Sequence, residues 1–115
     1  GYNAGSADQA AYSVAVGSQA GEDSQGTKSV AMGYTAGYNA QGGASVAVGD
    51  SAGKLDQGTE AVAIGTSAGL NAQTDNSVAV GRLAGSHGGV GFLYDGRVSV
   101  DDRHHGDSST AMGGD

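Results

Sequence analysis

Two short segments contain serine in a spacing that hydrolases use. Residues 49–53 and 65–69 both match the pattern Gly-x-Ser-x-Gly. In hydrolases this pattern presents a nucleophilic serine on a sharp turn between a strand and a helix. In the corresponding segments of this chain the central residue is not serine but Asn3, Gln19, Thr35 and Leu83. We therefore interpret both serines as structural, and we expect no enzyme.

A second group of residues has the side-chain types of a metal site. His104 and His105 lie close in sequence to Asp101, Asp102 and Asp107, and imidazole and carboxylate groups both bind transition metals. Adjacent residues of a strand face opposite ways, so only one of the two histidines could point inward. We expect no cofactor and no metal, with the two histidines as weak candidates. Paired carboxylates could instead cleave a glycan, and a glycan-degrading tailspike segment stays open as an alternative.

The composition limits which elements can position such residues. The 115 residues include 23 Gly but no Pro, Cys or Trp, and 12 acidic against 5 basic residues give a formal charge of −7. Such a chain cannot form a core of large side chains, a disulfide scaffold or a cysteine zinc site. Few and scattered basic residues argue against nucleic-acid binding, and no apolar run is long enough for membrane insertion.

A 16-residue repeat organises the chain. Glycine and an Ala-Gly pair recur at this spacing from Gly1 to Gly85. Valine and glutamine keep the same step, and they define a predicted structural ladder: Val14, Val30, Val46, Val62 and Val78, with Gln9, Gln25, Gln41, Gln57 and Gln73. Strict phase of this kind is typical of a repeat architecture rather than of a disordered glycine-rich tract.

The apolar part of each unit predicts a short strand. Ser13-Val14-Ala15-Val16 and its equivalents alternate large and small residues, which is the period of a strand with one buried face. We expect the valines to be buried, the glycines to form corners and the glutamine amides to stack. A unit of this length, rich in Gly and Val, cannot hold two helices. The predicted fold is therefore all-β, a parallel β-solenoid (β-roll) of 16-residue turns.

The apolar surface that one chain can bury is too small to stabilise such thin turns. Two valine-sized side chains per turn contribute much less than the cost of ordering all the residues of that turn. We therefore predict a parallel homotrimer, in which methyl-sized and glycine positions pack closely at the axis. A single-chain or end-stacked solenoid is the alternative.

The repeat divides the chain into three parts. Residues 1–85 are regular, residues 86–108 diverge, and residues 109–115 resume the pattern. Ser109 follows Ser77 by two whole periods, so we expect the divergent stretch to be a decorated coil or loop that keeps phase. Because the chain stops shortly after a new unit begins, we expect it to be a fragment of a longer fibre.

The divergent stretch holds the predicted contact residues. Binding residues concentrate on loops that leave a rigid scaffold, and aromatic and arginine side chains are the usual anchors. The receptor-contact candidates are Phe92, Tyr94, Arg97, Arg103, His104 and His105. Alternatively, Phe92, Leu93 and Tyr94 fill the trimer axis where the valine rows stop.

The Ser-Val-Ala-Val-Gly unit followed by Ala-Gly and Gln-Gly resembles two groups of fibre repeats over residues 1–85. It is similar to the heads of trimeric autotransporter adhesins (YadA-type) and to phage tail fibres; the typical adhesin repeat is shorter, and the length here is closer to the phage-fibre form. The resemblance implies a left-handed β-roll trimer outside the cell, on a virion fibre or a bacterial surface, that displays a region binding a host cell-surface glycan or protein. We expect a phage or virion tail fibre, with the bacterial adhesin head as the alternative.

An ice-binding solenoid is a further alternative. Residues 20–24 are similar to the 16-residue repeats of ice-nucleation proteins. An ice-binding face needs threonines in ordered rows, however, and the threonines here occupy four different phases of the repeat: Thr27, Thr35, Thr59, Thr66 and Thr74. This pattern argues against ice binding.

Overall fold

A computed structural model describes residues 1–86 and the backbone of Val98–Ser99. Its strands are β1 (Val14–Val16), β2 (Asp23–Gln25), β3 (Val30–Met32), β4 (Asn39–Gln41), β5 (Val46–Val48), β6 (Val62–Ile64), β7 (Val78–Val80) and β8 (Val98–Ser99). Each of β1, β3, β5, β6 and β7 is the Val-Ala-Val segment of one repeat unit, or its equivalent with Met or Ile in the last position.

The strands form two parallel sheets. One sheet has the order β1-β3-β5-β6-β7-β8, and β2 pairs with β4 in the other. Val14 pairs with Val30 and Val30 with Val46, so each turn stacks on the next in the register of the repeat. This confirms the all-β parallel solenoid of 16-residue turns.

The register changes at the end of the described part. Val78 pairs with Val98, whereas the spacing of the earlier turns would bring position 94 opposite Val78. This turn is therefore four residues longer than the others. The resumption of the repeat predicted for residues 109–115 lies outside the described residues.

Backbone groups bond to the turns above and below. In β3, the Val30 amide donates to the Ser45 carbonyl at 2.9 Å, and the Gly33 amide donates to the Val16 carbonyl at 2.8 Å. The same pattern recurs from turn to turn and satisfies polar groups that would be costly to bury unpaired. The stack is thus a continuous hydrogen-bonded ladder.

Glycine is required where the corner follows the apolar strand. Gly33 has a φ of 128°, and a Cβ there would lie 2.6 Å from the carbonyl oxygen of Gly49 in the next turn. The expectation that the periodic glycines mark corners and close approaches is confirmed. Other corners use non-glycine residues in the left-handed region, such as Gln19 with a φ of 60° and Lys28 with a φ of 61°.

The prediction that the valines fill the interior is wrong. The buried side chains of the apolar strands β3, β5, β6 and β7 are Ala31, Ala47, Ala63 and Ala79, whereas Val14 in β1 is 45% exposed. The inside of a turn is occupied by alanine, serine and glutamine, which leaves no room for a branched side chain on the strand. Since the alanines lie inside the coil, they are also not available to line an axis between chains.

Candidate functional site

Large apolar side chains cover one outer side of the solenoid. They are contributed in pairs by β1, β3, β5, β6 and β7, and together we call them the apolar face: Val14, Val16, Val30, Met32, Val46, Val48, Val62, Ile64, Val78 and Val80. Val14, Val16, Met32, Ile64 and Val80 are 41–50% exposed, and the others are half-buried.

The apolar face follows directly from the alternation of the strands. Because Ala31 and its equivalents point inward, the residues on either side of them point outward. The in-register pairing aligns them in two rows along the stack, with a step of about 4.8 Å per turn. Neither row contains a polar or charged residue. A contiguous exposed apolar surface of this kind is typical of an interaction site.

The predicted glutamine ladder lies inside the coil. Gln25, Gln41, Gln57 and Gln73 are 1–2% exposed, which excludes a solvated position in the turn. Each donates its Nε2 amide to a valine carbonyl of the preceding turn, at 2.7–2.8 Å. Gln9 is exposed and makes only a 3.4 Å bond to the Ser13 carbonyl.

Amide stacking is only a small part of this ladder. One amide-to-amide bond is present within the described part of the chain, from Gln57 Nε2 to Gln73 Oε1 at 3.1 Å. Among the same residues, the Oε1 atoms of Gln25, Gln41 and Gln57 are buried without a hydrogen-bond donor. The glutamines therefore join one turn to the next mainly through the backbone.

Each glutamine also occupies the space in front of a glycine. A Cβ at Gly37 would lie 2.7 Å from Gln41 Oε1, and a Cβ at Gly21 would lie 2.8 Å from Gln25 Oε1. The sequence signal for this pairing is the constant spacing of four residues between the two types. Sequence reasoning treated them separately and missed the contact.

Serine closes the bend before four of the five apolar strands, β1, β3, β5 and β7. Ser29 Oγ donates to the Gly26 carbonyl and Ser45 Oγ to the Gly42 carbonyl, both at 2.6 Å. The equivalent residue before β6 is Ala61, which is fully buried. That turn therefore lacks a bond that its neighbours make.

The opposite side of each turn varies in residue type. We call it the variable side, and its residues are Glu22, Asp23, Tyr38, Asn39, Lys54, Leu55, Leu70 and Asn71. Lys54 Nζ lies 5.9 Å from the centroid of the Tyr38 ring, within cation–π range. The pKa of the Tyr38 phenol is raised, first by its hydrogen bond to Glu22 and then by the negative charge of that carboxylate.

The two Gly-x-Ser-x-Gly segments lie at corners of the stack. Ser51 has a φ of 62°, and its Oγ lies 3.0 Å from Thr35 Oγ1 and 2.9 Å from Asp50 Oδ1. The corner continues toward the next turn, without the helix that a nucleophile elbow requires. The first histidine of the sequence is His87, so no imidazole lies among residues 1–86.

The predicted contact residues Phe92, Tyr94, Arg97, Arg103, His104 and His105 lie outside the described residues. Over the described part of the chain, no group of three or more His, Asp or Glu residues could hold a metal ion. In the same part, no helix has the length and apolarity needed to cross a membrane.

Comparisons of the chain with protein-family models, with curated proteins and with solved structures find no match.

Proposed function

We propose that the chain is a structural, non-enzymatic segment of an extracellular fibre, in which three parallel copies pack their apolar faces around a common axis. The observation that carries this proposal is the unbroken apolar face on the outside of a coil whose interior is already filled. A large apolar surface that is not needed inside the chain favours burial between chains.

Burial of this face would stabilise each turn by a similar amount. Covering the exposed half of a valine-sized side chain contributes roughly 1 kcal/mol. Each turn presents two such side chains, and every additional turn adds two more. The interaction therefore grows with the length of the stack, as a fibre requires.

The shape of the face supports a threefold arrangement. The strands that carry it are three residues long, so the face is a narrow strip with two outward rows. One row can meet the neighbour on one side, and the other row can meet the neighbour on the other side. Contacts between unlike surfaces close into a ring when the rotation from one copy to the next is a whole fraction of a full turn, such as one third. A parallel arrangement keeps equivalent turns of the three copies at the same height along the axis.

The resemblance of the repeat to phage tail fibres and adhesin heads supports an extracellular setting. Such a shaft displays a receptor-binding region at a distance, and three copies on one shaft raise avidity without new contacts. We place this fibre on a virion, with the bacterial adhesin head as the alternative. Residues 86–108 remain the predicted receptor-contact region.

Sedimentation equilibrium tests the assembly. The chain has a mass of 11.1 kDa, and we expect the particle to have three times that mass. Ile64→Lys places a charge on the apolar face and should give monomers. Thr27→Lys adds the same charge at an exposed bend and should leave the trimer intact. A stable, compact monomer of the wild-type chain would overturn the proposal.

A further inference from the structure

Tyrosine side chains project from the corner that follows the apolar face. Tyr2 is 74% exposed and Tyr34 is 56% exposed, although neither is needed to cover the interior. Tyrosine combines a flat apolar ring with a polar tip and is enriched at binding surfaces for that reason. Exposed tyrosines on a rigid corner are therefore candidates for ligand contact.

The backbone register aligns these tyrosines along the stack. Tyr2 O accepts from the Gln19 amide at 2.7 Å, Ser18 O from the Thr35 amide at 3.0 Å, and Tyr34 O from the Ser51 amide at 2.8 Å. Each bond joins a corner to the same corner of the next turn. The successive residues of this row, which we call the tyrosine row, are Tyr2, Ser18, Tyr34, Asp50, Thr66 and Arg82.

We propose that the tyrosine row binds an extended, uncharged glycan with β-1,4 linkages. The backbone positions of Tyr2 and Tyr34 are two stacking steps apart, about 9.6 Å, close to the length of two sugar units in such a chain. Successive rings of a β-1,4 chain are flipped, so the same C–H face recurs at every second ring. The alternation of tyrosine, serine and tyrosine has this period.

The polar residues of the row fit the hydroxyl groups of a sugar. Ser18 lies between the two tyrosines, and the exposed Asp50 follows Tyr34. Within the row, the carboxylate of Asp50 is balanced by the guanidinium of Arg82, so it is the formal charge of −7 on the whole chain that disfavours anionic glycans. Tyr38 is less suitable, because Lys54 Nζ lies over its ring, 5.9 Å from the centroid.

This inference rests on the proposed fibre function and adds a glycan-binding row on the regular shaft, separate from the predicted receptor-contact region of residues 86–108. The test is titration of the whole chain with cellohexaose, followed by nuclear magnetic resonance of the tyrosine rings. We expect saturable binding, about tenfold weaker in Tyr34→Ala, since removal of an aromatic anchor commonly has an effect of this size. Tyr34→Phe should bind like the wild type, because the ring remains.

Matched controls separate this row from other tyrosines and other sugars. Tyr12 is 83% exposed at the opposite bend, so Tyr12→Ala should bind cellohexaose like the wild type. Maltohexaose has α-1,4 linkages and a curled shape, and it should not compete. Equal loss in Tyr12→Ala, or equal binding of both sugars, would overturn the inference.

Sedimentation of the same samples distinguishes failure of this inference from failure of the proposed function. A trimer that does not bind cellohexaose overturns the glycan site alone. A monomer that binds it overturns the trimeric fibre but supports the site. If Tyr34→Ala dissociates the trimer and binding does not depend on the ring, the row is a contact between copies and the inference is wrong.

Discussion

The apolar face and the variable side belong to the same turns, but they differ in the regularity of their strands and in how much their residue types vary. The sheet under the apolar face has six strands, whereas β2 and β4 form a sheet of two, continued only by isolated bridges such as Asn39 to Leu55. Ser24 and Ala40 adopt φ of 60–62° within β2 and β4, which interrupts the extended backbone. The strands of the apolar face contain no positive φ.

Residue types repeat within this chain for two different physical reasons. Alanine, serine and glutamine repeat because the interior has a fixed width and fixed hydrogen bonds. The two rows of the apolar face stay apolar in every turn, although they lie outside the filled interior of the coil. The variable side shows that an outer surface of this solenoid can change freely. Repetition of an outer apolar surface therefore supports the proposed contact between copies.

The largest expected effect tests the close approach at the end of the apolar strands. In Gly33→Ala, the new Cβ would lie 2.6 Å from the Gly49 carbonyl oxygen, at a φ of 128°. The clash is with backbone and cannot be relieved by a side chain, so we expect a loss of more than about 3 kcal/mol in the free energy of unfolding. Denaturant unfolding measures it.

Gly43→Ala is the matched control after β4. Its Cβ would lie 3.5 Å from the Thr27 carbonyl oxygen, which is ordinary contact. We expect a change of less than about 0.5 kcal/mol. If the two variants were equally stable, the glycine after the apolar strand would have no special role.

The next effect tests the glutamine that joins the two sides. Gln41 lies in β4 and donates to the Val30 carbonyl in β3 at 2.7 Å. Gln41→Ala would remove that buried hydrogen bond and create a cavity, so we expect a loss of about 3 kcal/mol. Thermal and denaturant unfolding of the variant measure the loss.

Gln9→Ala makes the same substitution at the equivalent exposed position. Its bond to the Ser13 carbonyl is 3.4 Å long, and we expect a change of less than about 0.5 kcal/mol. A similar loss at both positions would show that the buried hydrogen bond is not the source of the stability.

The two sides also differ in how far the sequence could predict them. The period and phase of the sequence repeat were sufficient to predict the turn length, the parallel register and the strands that carry the apolar face. The direction of the valines was not predictable from alternation, because alternation fixes two faces and not which one is inside. The deciding factor is Gln41 and its equivalents, whose side chains fill the interior together with Ala31 and leave space only for methyl groups.

The contact between glycine and glutamine was predictable in principle, since Gly37 and Gln41 keep their spacing in every regular unit. The tyrosine row was not predicted, because Tyr2 and Tyr34 lie two repeat units apart and tyrosine is absent from the unit between them. The receptor-contact region was predicted in residues 86–108, where the sequence repeat lapses, and this prediction lies outside the described residues apart from Ser86 and the backbone of Val98–Ser99.

A smaller, stabilising effect is expected at the bend before β6. Ala61 is fully buried where Ser45 donates to the Gly42 carbonyl at 2.6 Å in the preceding turn. In Ala61→Ser the new hydroxyl can donate to the Gly58 carbonyl in the same way. We expect a gain of about 1 kcal/mol, measured by denaturant unfolding.

The reverse substitution in the neighbouring turn is the control. Ser45→Ala removes the bond and leaves the Gly42 carbonyl without that donor, so we expect a loss of about 1 kcal/mol. If Ala61→Ser were destabilising, the bend before β6 would differ in shape from the bend before β5, and the two turns would not be equivalent.

The smallest effect concerns the variable side and is electrostatic. The pKa of Tyr38 is raised above its ordinary value of 10.0 by the hydrogen bond to Glu22 and by the charge of that carboxylate. At a pH between the pKa of Tyr38 in the unfolded chain and its higher pKa in the folded chain, the folded chain binds more protons than the unfolded chain. The contribution to stability is therefore complete below the ordinary pKa of 10.0 and is lost as the pH rises through the folded pKa.

Glu22→Gln removes the charge and should lower the pKa of Tyr38 toward its ordinary value. The difference between the phenolate absorbance titrations of the wild type and Tyr38→Phe gives the titration midpoint of Tyr38. Repeating this pair of titrations with Glu22→Gln present in both chains gives the midpoint of Tyr38 without the charge of Glu22. An unchanged midpoint would contradict the contact. Because the pair lies away from the apolar face, the substitution should leave the sedimenting mass unchanged, which separates local chemistry on the variable side from the proposed assembly through the apolar face.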